Sequence, residues 1–298
     1  MKKVWLAWVV CQLLVLGACQ QLDVGALRQQ SSPGPQGAEE GPSHRQRWLI
    51  PISEQLPLMG ATLWRPPGRG PYPLAVISHA SAEDPDQRIE DPTPKYESLA
   101  LWLTQHGFAV LLPVRPGHAG TGGPYLEEQG GCDDADYVTS GLATAASIEA
   151  ALAYMAAQPF VKKDRAVVIG VSAGGWGAIA LASRKPPAVK AVINFAGGRG
   201  GHSSGEANSN CASDRLVAAA VEFGKTARIP SLWLYAENDS FFGPRLSKQL
   251  ADGFRSTGGQ VEYHLLPPVG DEGHYLAQSA DAVRLWGPIV ERFLARNH

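Results

Sequence analysis

Neither sign of charge dominates this chain: 26 Lys and Arg stand against 28 Asp and Glu, leaving a net charge of −2 over 298 residues. There is no basic stripe, which argues against nucleic acid as a partner, because phosphate backbones demand a concentrated positive face. No set of His and Cys has zinc spacing. Asp133, Asp134 and Asp136 cluster, but the spacing is not that of an EF-hand loop and no closing glutamate is placed for one, so they read as a solvated loop. The glycine-rich Gly197-Gly198-Arg199-Gly200-Gly201 lacks a G-K-[ST] ending and an immediate helix, which argues against a phosphate loop. No internal repeat is visible. The chain also lacks an apolar run long enough to cross a bilayer comfortably.

What the N-terminus has instead is a short basic start, Met1-Lys2-Lys3, an apolar stretch from Val4 to Leu16, and then Leu16-Gly17-Ala18-Cys19. This matches a bacterial lipobox, so residues 1–18 are expected to be a signal peptide, with cleavage before Cys19 and lipid on that cysteine. Two or more acyl chains would anchor the protein stably to a membrane. Gln20 rather than aspartate follows, which by the rule for such lipoproteins directs the protein to the outer membrane, facing the periplasm. The alternative is an ordinary secretory signal with Cys19 incidental. Residues 19–47 are rich in Gln, Ser, Pro and Gly without an apolar period, and read as a flexible tether. Residues 48–298 suffice for one α/β domain with a large core.

Cysteine is scarce, four in all. With Cys11 in the signal and Cys19 at its end, only Cys132 and Cys211 remain in the domain. In an oxidising compartment a Cys132–Cys211 disulfide is the natural expectation, two free thiols being the alternative. Closing a loop of about 80 residues contributes ~4 kcal/mol by chain-entropy arithmetic.

The most informative segment is Val167-Val168-Ile169-Gly170-Val171-Ser172-Ala173-Gly174-Gly175-Trp176. An apolar strand breaks into G-x-S-x-G and continues into the small-residue helix Ala173 to Ser183. This pattern forces a serine onto a sharp strand-to-helix turn, with its hydroxyl clear of the sheet. Glycines at 170 and 174 suit a turn in which strand and helix nearly touch. A serine hydroxyl needs a base, and the base needs an orienting carboxylate. Downstream, Ile229 to Ala236 is an apolar strand ending in the acidic turn Glu237-Asn238-Asp239. Val261 to Leu266 is a final alternating strand, and Gly273-His274-Tyr275 follows on a loop. Ser172, Asp239 and His274 thus each follow a different strand, in the chain order Ser, Asp, His.

With G-V-S-A-G-G, Tyr-Ala-Glu-Asn-Asp and Gly-His-Tyr in place, the chain resembles the α/β-hydrolase superfamily, and within it the dienelactone-hydrolase-like serine esterase group. The likeness covers residues 48 to 296. Dienelactone hydrolases proper carry a cysteine nucleophile where this chain has Ser172, so the lactone substrate does not carry over. The resemblance implies hydrolysis of a small-molecule ester with Ser172 as nucleophile, His274 as base and Asp239 as its partner, and with no metal or organic cofactor. It also implies an oxyanion hole, whose first donor is the Ala173 amide, at a helix N-terminus where the macrodipole favours negative charge. The second comes from the loop after Leu74-Ala75-Val76-Ile77-Ser78. There His79-Ala80-Ser81-Ala82 stands in place of H-G-x-G, with Ser81 as donor and Ala80 as fallback. An amidase or peptidase using the same triad and an inactive envelope binding module are the rival readings.

Other residues carry competing roles. His264 is the best rival base, and Asp271 and Glu272 are rival partners for His274. His79 reads as a loop brace and His106 as a helix C-cap. His118 and His202 lie in glycine-rich loops. Arg115 and Arg199 stand on rim loops, either holding an acidic group of a substrate or simply at the surface. Phe241, Phe242 and Trp176 line a pocket or fill the core. Strands are expected near 48–52, 58–64, 74–78, 108–114, 166–170, 190–195, 231–236 and 261–266. Helices are expected near 95–106, 140–157, 173–183, 214–224, 244–257 and 281–296, the segment 213–224 forming a small cap. The alternation predicts a mostly parallel eight-stranded sheet with helices on both faces.

Overall fold

The computed structural model describes residues 32–90, 94 and 96–298. The expected signal peptide and the lipid site at Cys19 lie outside the described residues.

Unbroken apolar runs make the centre of the sheet. β4 (Tyr72–Ser78), β5 (Ala109–Pro113), the second half of β6 (Val161–Val171), β7 (Val189–Phe195) and β8 (Ser231–Ala236) are buried nearly throughout. Such runs characterise parallel strands covered by helices on both faces. β1 (Gly34–Glu40), β2 (Arg45–Ile50), β3 (Met59–Trp64) and β9 (Val261–Leu266) complete a nine-stranded sheet in the order β1-β2-β3-β5-β4-β6-β7-β8-β9. Pairing is antiparallel from β1 through β3 to β5 and parallel across the remainder.

Nine strands rather than eight, and the position of the first, correct two expectations. Residues 34–40 and 45–47, assigned to the flexible tether, form an antiparallel pair at the sheet edge, with Gln36 opposite Arg47 and Glu40 opposite Arg45. The strand β1 buries almost none of its side chains. Its backbone ladder and the ion pairs Glu40–Arg45 (3.1 Å) and Glu39–Arg65 hold it, so it needs no apolar period.

The helices are α1 (Pro85–Glu90), α2 (Glu97–Gln105), α3 (Tyr137–Ala156), α4 (Ala173–Arg184), α5 (Ser213–Thr226), α6 (Pro244–Ser256) and α7 (Val283–Asn297). α3, α4, α5 and α6 pack side by side, while α2 meets α7 through an edge-to-face contact of Trp102 with Trp286. The expectation of a cap at 213–224 is overturned. α5 lies in the helical layer, burying Leu216, Ala219, Ala220 and Phe223 against its neighbours, because its apolar residues share one stripe. Cys132 and Cys211 form a disulfide that joins the loop before α3 to the loop before α5. The amide of Cys211 donates to Gly200 O (2.7 Å), fastening this crosslink to the glycine-rich loop after β7.

Candidate active site

Parallel strands deliver their following loops to one edge of the sheet, and four of these loops build the site. The sharpest is the turn from β6 to α4. Ser172 sits there at φ 54°, ψ −121°, a conformation that a non-glycine residue adopts only when its surroundings impose it. Three hydrogen bonds impose it: Ser172 N–H to Phe195 O (3.0 Å), Gly198 N–H to Ser172 O (3.2 Å) and Trp176 N–H to Ser172 O (2.9 Å). The glycines allow the approach. A Cβ on Gly170 would lie 2.2 Å from Gly174 O, and one on Gly174 would lie 2.1 Å from Ser78 O.

The acid turn after β8 places Asp239 in a buried position. Its Oδ1 accepts the amides of Phe241 and Phe242, each at 2.9 Å, which fixes the carboxylate plane. His274, in the 3-10 turn Gly273–Tyr275 after β9, brings Nδ1 to 3.2 and 3.3 Å from the two Asp239 oxygens. Phe241 stacks on the His274 ring at 4.2 Å between centroids. Glu272 faces elsewhere: it accepts the His274 amide (2.8 Å), the Ser240 amide (3.1 Å) and the Ser240 hydroxyl, tying the acid loop to the histidine loop. Asp271 is exposed. The rival His264 stays on β9, paired with Glu262 at 2.8 Å.

The loop after β4 forms the facing wall. His79 Nε2 accepts the Arg115 amide (3.1 Å), the bracing part read from the sequence. Burial, then the Arg115 guanidinium, push its pKa well below the ordinary value, so the ring is neutral. The Ala80 amide donates to the Tyr96 hydroxyl (2.9 Å), which removes it as an oxyanion donor. Among the described residues, the amides of Ser81 and Ala173 have no hydrogen-bond partner.

Ser81, Ser172, Ala173, Phe241, Phe242 and His274 open onto one cavity of about 790 Å³. His79, His118 and His202 also line it. His202 stacks on Phe241 at 3.7 Å, on a ring that itself stacks on His274. No residue of α5 reaches the cavity. Trp176 does not line it either; it is core, donating Nε1–H to Tyr137 O (2.8 Å). His106 caps α2 as expected, its amide closing on Trp102 and Leu103 carbonyls. Asp133, Asp134 and Asp136 are exposed, and the Asp136 carboxylate also caps α3 by accepting the Thr139 amide (2.9 Å).

Arg115 and Arg199 fit neither reading made of them. Both are buried, and both are spent on Glu127, a residue that sequence reasoning missed. Arg115 also donates to Ser78 Oγ (3.1 Å) and His79 O (2.7 Å), and Arg199 to Tyr125 Oη (2.9 Å) and Thr144 Oγ1 (3.0 Å). Burial alone would raise the Glu127 pKa; Arg115 and Arg199 reverse this and hold the carboxyl below the usual carboxylate range. The network locks the β4 loop to the glycine-rich loop beneath the cavity. Glu127 gives no local signal, since it is one of two adjacent glutamates between glycine-rich turns and no period sets it apart from Glu128.

The profile of the dienelactone hydrolase family matches residues 95–274, more than half of the chain. Among solved structures, an esterase from Pyrococcus furiosus is similar at 14% identity and a TM-score of 0.60, covering 90% of this chain and 99% of that one. A cold-adapted esterase from an Arctic intertidal metagenomic library is similar at 16% identity and a TM-score of 0.58, covering 90% of this chain and 100% of that one. A puromycin-hydrolyzing peptidase of Mycobacterium tuberculosis is similar at 17% identity and a TM-score of 0.60, covering 90% of this chain but 40% of that one. At these identities the likeness is one of fold. No curated protein sequence matches the chain. The α/β sheet, the serine elbow and the family profile agree: the chain belongs to the dienelactone hydrolase family of hydrolases.

Proposed function

We propose that the protein hydrolyses carboxylic esters through a Ser172–His274–Asp239 triad and an acyl-enzyme intermediate. The observation that carries this reading is that His274, paired with the buried Asp239, opens onto the same cavity as Ser172 and two unpartnered amides. Asp239 accepts from Nδ1–H of His274, so Nε2 is left as the base for the Ser172 hydroxyl. Ser172 Oγ attacks the ester carbonyl, and the developing oxyanion is received by the Ala173 and Ser81 N–H groups. His274 then gives its proton to the leaving alcohol, and a water deprotonated by the same ring releases the acid. Each step draws on side chains, main-chain amides and water at this site.

Hydrolysis of p-nitrophenyl esters of increasing acyl length, measured beside Ser172→Ala and matched anilides, tests the reading. Serine-dependent ester turnover supports it, and the chain-length profile sizes the pocket. Faster anilide than ester turnover would favour an amidase. A folded chain inert toward both would leave a binding module. The same reading includes export and anchoring through Cys19, supported by the lipobox and the Cys132–Cys211 disulfide. Intact mass after expression in a lipoprotein-processing bacterium should show a diacylglyceryl or triacyl adduct, lost in Cys19→Ser.

A further inference from the structure

The loop that carries the expected oxyanion donor has lost both glycines of the H-G-x-G pattern, and alanines stand in their places. A loop so changed must be held by other means, and each of its residues is gripped from outside. Arg115 holds His79 O (2.7 Å), the Tyr96 hydroxyl holds the Ala80 amide (2.9 Å), and Arg88 Nη1 holds Ala82 O (3.2 Å) and Glu83 O (2.8 Å). Ser81 is gripped by its side chain: its hydroxyl lies 2.8 Å from His118 Nε2.

The direction of that hydrogen bond follows from the other side of the ring. His118 Nδ1 faces two carbonyl oxygens, Arg115 O at 3.2 Å and Pro116 O at 3.1 Å, so Nδ1 carries the proton and Nε2 accepts. Burial, then the Arg115 guanidinium, lower the His118 pKa to about 4, and the ring is neutral at neutral pH. With Nε2 an acceptor, the Ser81 hydroxyl donates to His118 at 2.8 Å, the shorter of its two contacts, the other being Ala82 O at 3.3 Å; neither contact leaves it a donor to the cavity. What remains free at Ser81 is the backbone N–H.

We infer that His118 is a positioning residue for oxyanion stabilisation: by accepting the Ser81 hydroxyl it fixes the Ser81 peptide on the cavity wall shared with Ser172, in place of the missing glycines. This rests on the reading of Ser172 as the nucleophile. A misplaced donor weakens only the transition state, in which the oxyanion exists.

The test compares the parent with His118→Ala, His118→Gln, Ser81→Ala and the double alanine variant, each normalised to active sites titrated with a fluorophosphonate. Normalisation separates loss of folded enzyme from loss of rate per site. With a p-nitrophenyl ester, His118→Ala is expected to lower kcat by about tenfold to hundredfold, with KM little changed. The affinity for a boronic acid, which forms a tetrahedral adduct at the serine, should fall by the same factor. Ser81→Ala should match it, the double variant should be no worse than either single one, and His118→Gln, which keeps an acceptor, should recover part of the rate. Parental kcat in His118→Ala, a loss confined to KM, or multiplicative losses in the double variant would each overturn the inference alone. A parent with neither turnover nor titratable serine would overturn the hydrolytic reading, and this inference with it.

Discussion

The chemistry of the site depends on individual residues being held in conformations they would not choose. Ser172 occupies a left-handed backbone region because its peptide groups are spoken for by β7, the glycine-rich loop and α4. Gly174 is the residue that lets the β4 loop press against that turn. Gly174→Ala would put a methyl group 2.1 Å from Ser78 O and 2.4 Å from His79 O. Backbone carbonyls cannot step aside, so a loss of about 3 kcal/mol is expected, read as a lower Tm in thermal unfolding. Asp239→Asn keeps the shape of the turn but loses the carboxylate that fixes the His274 tautomer. It should reduce kcat about 10³- to 10⁴-fold while leaving thermal stability near that of the parent. Glu127 acts through structure instead. Glu127→Gln leaves two buried guanidinium groups without their counter-charge and should cost about 3 to 5 kcal/mol. The pH dependence has a definite sign. A carboxyl whose folded pKa is depressed contributes stability above its unfolded pKa and loses it as the pH falls towards the folded one. Between about pH 5 and pH 3 the parent should therefore lose stability more steeply than Glu127→Gln, which melts recorded across that range would show.

Among the elements, what could be read in advance was what leaves a pattern in a short window. The elbow at 170–174 was legible because an apolar strand, two glycines and a small-residue helix occur in one stretch. Asp239 and His274 are legible as candidates because each follows a strand, and the structure brings His274 Nδ1 to 3.2 Å from Asp239. β1 was not legible. An edge strand with polar side chains is held by its ladder, which the sequence of one strand does not display. The part of α5 is not legible from its position, since a segment after a glycine-rich loop suggests a small cap. Its stripe of Leu216, Ala219, Ala220 and Phe223 marks it as a layer helix. The arginines at 115 and 199 were visible, but their common partner was not, because Glu127 meets them only through tertiary contact. The Ser81–His118 pair, 37 residues apart, was hidden for the same reason.

At the scale of the whole molecule, one crosslink ties the site to the compartment in which the protein is expected to work. The Cys132–Cys211 disulfide closes a span of 79 residues, and Cys211 holds Gly200 of a loop that lines the cavity. Replacing both cysteines by serine should remove about 4 kcal/mol of stability, visible as a lower midpoint in chemical denaturation. Among the described residues no helix is long and apolar enough to cross a membrane.

The central claim is that Ser172 is the residue that becomes acylated. Labelling the folded chain with a fluorophosphonate and mapping the adduct by peptide mass spectrometry, with ester turnover followed in parallel, tests it most directly. The account predicts one adduct per chain, on Ser172, with turnover lost in proportion to labelling and no labelling of Ser172→Ala. An adduct on Ser81 with its His118 partner, or full turnover in a chain labelled at Ser172, would contradict it.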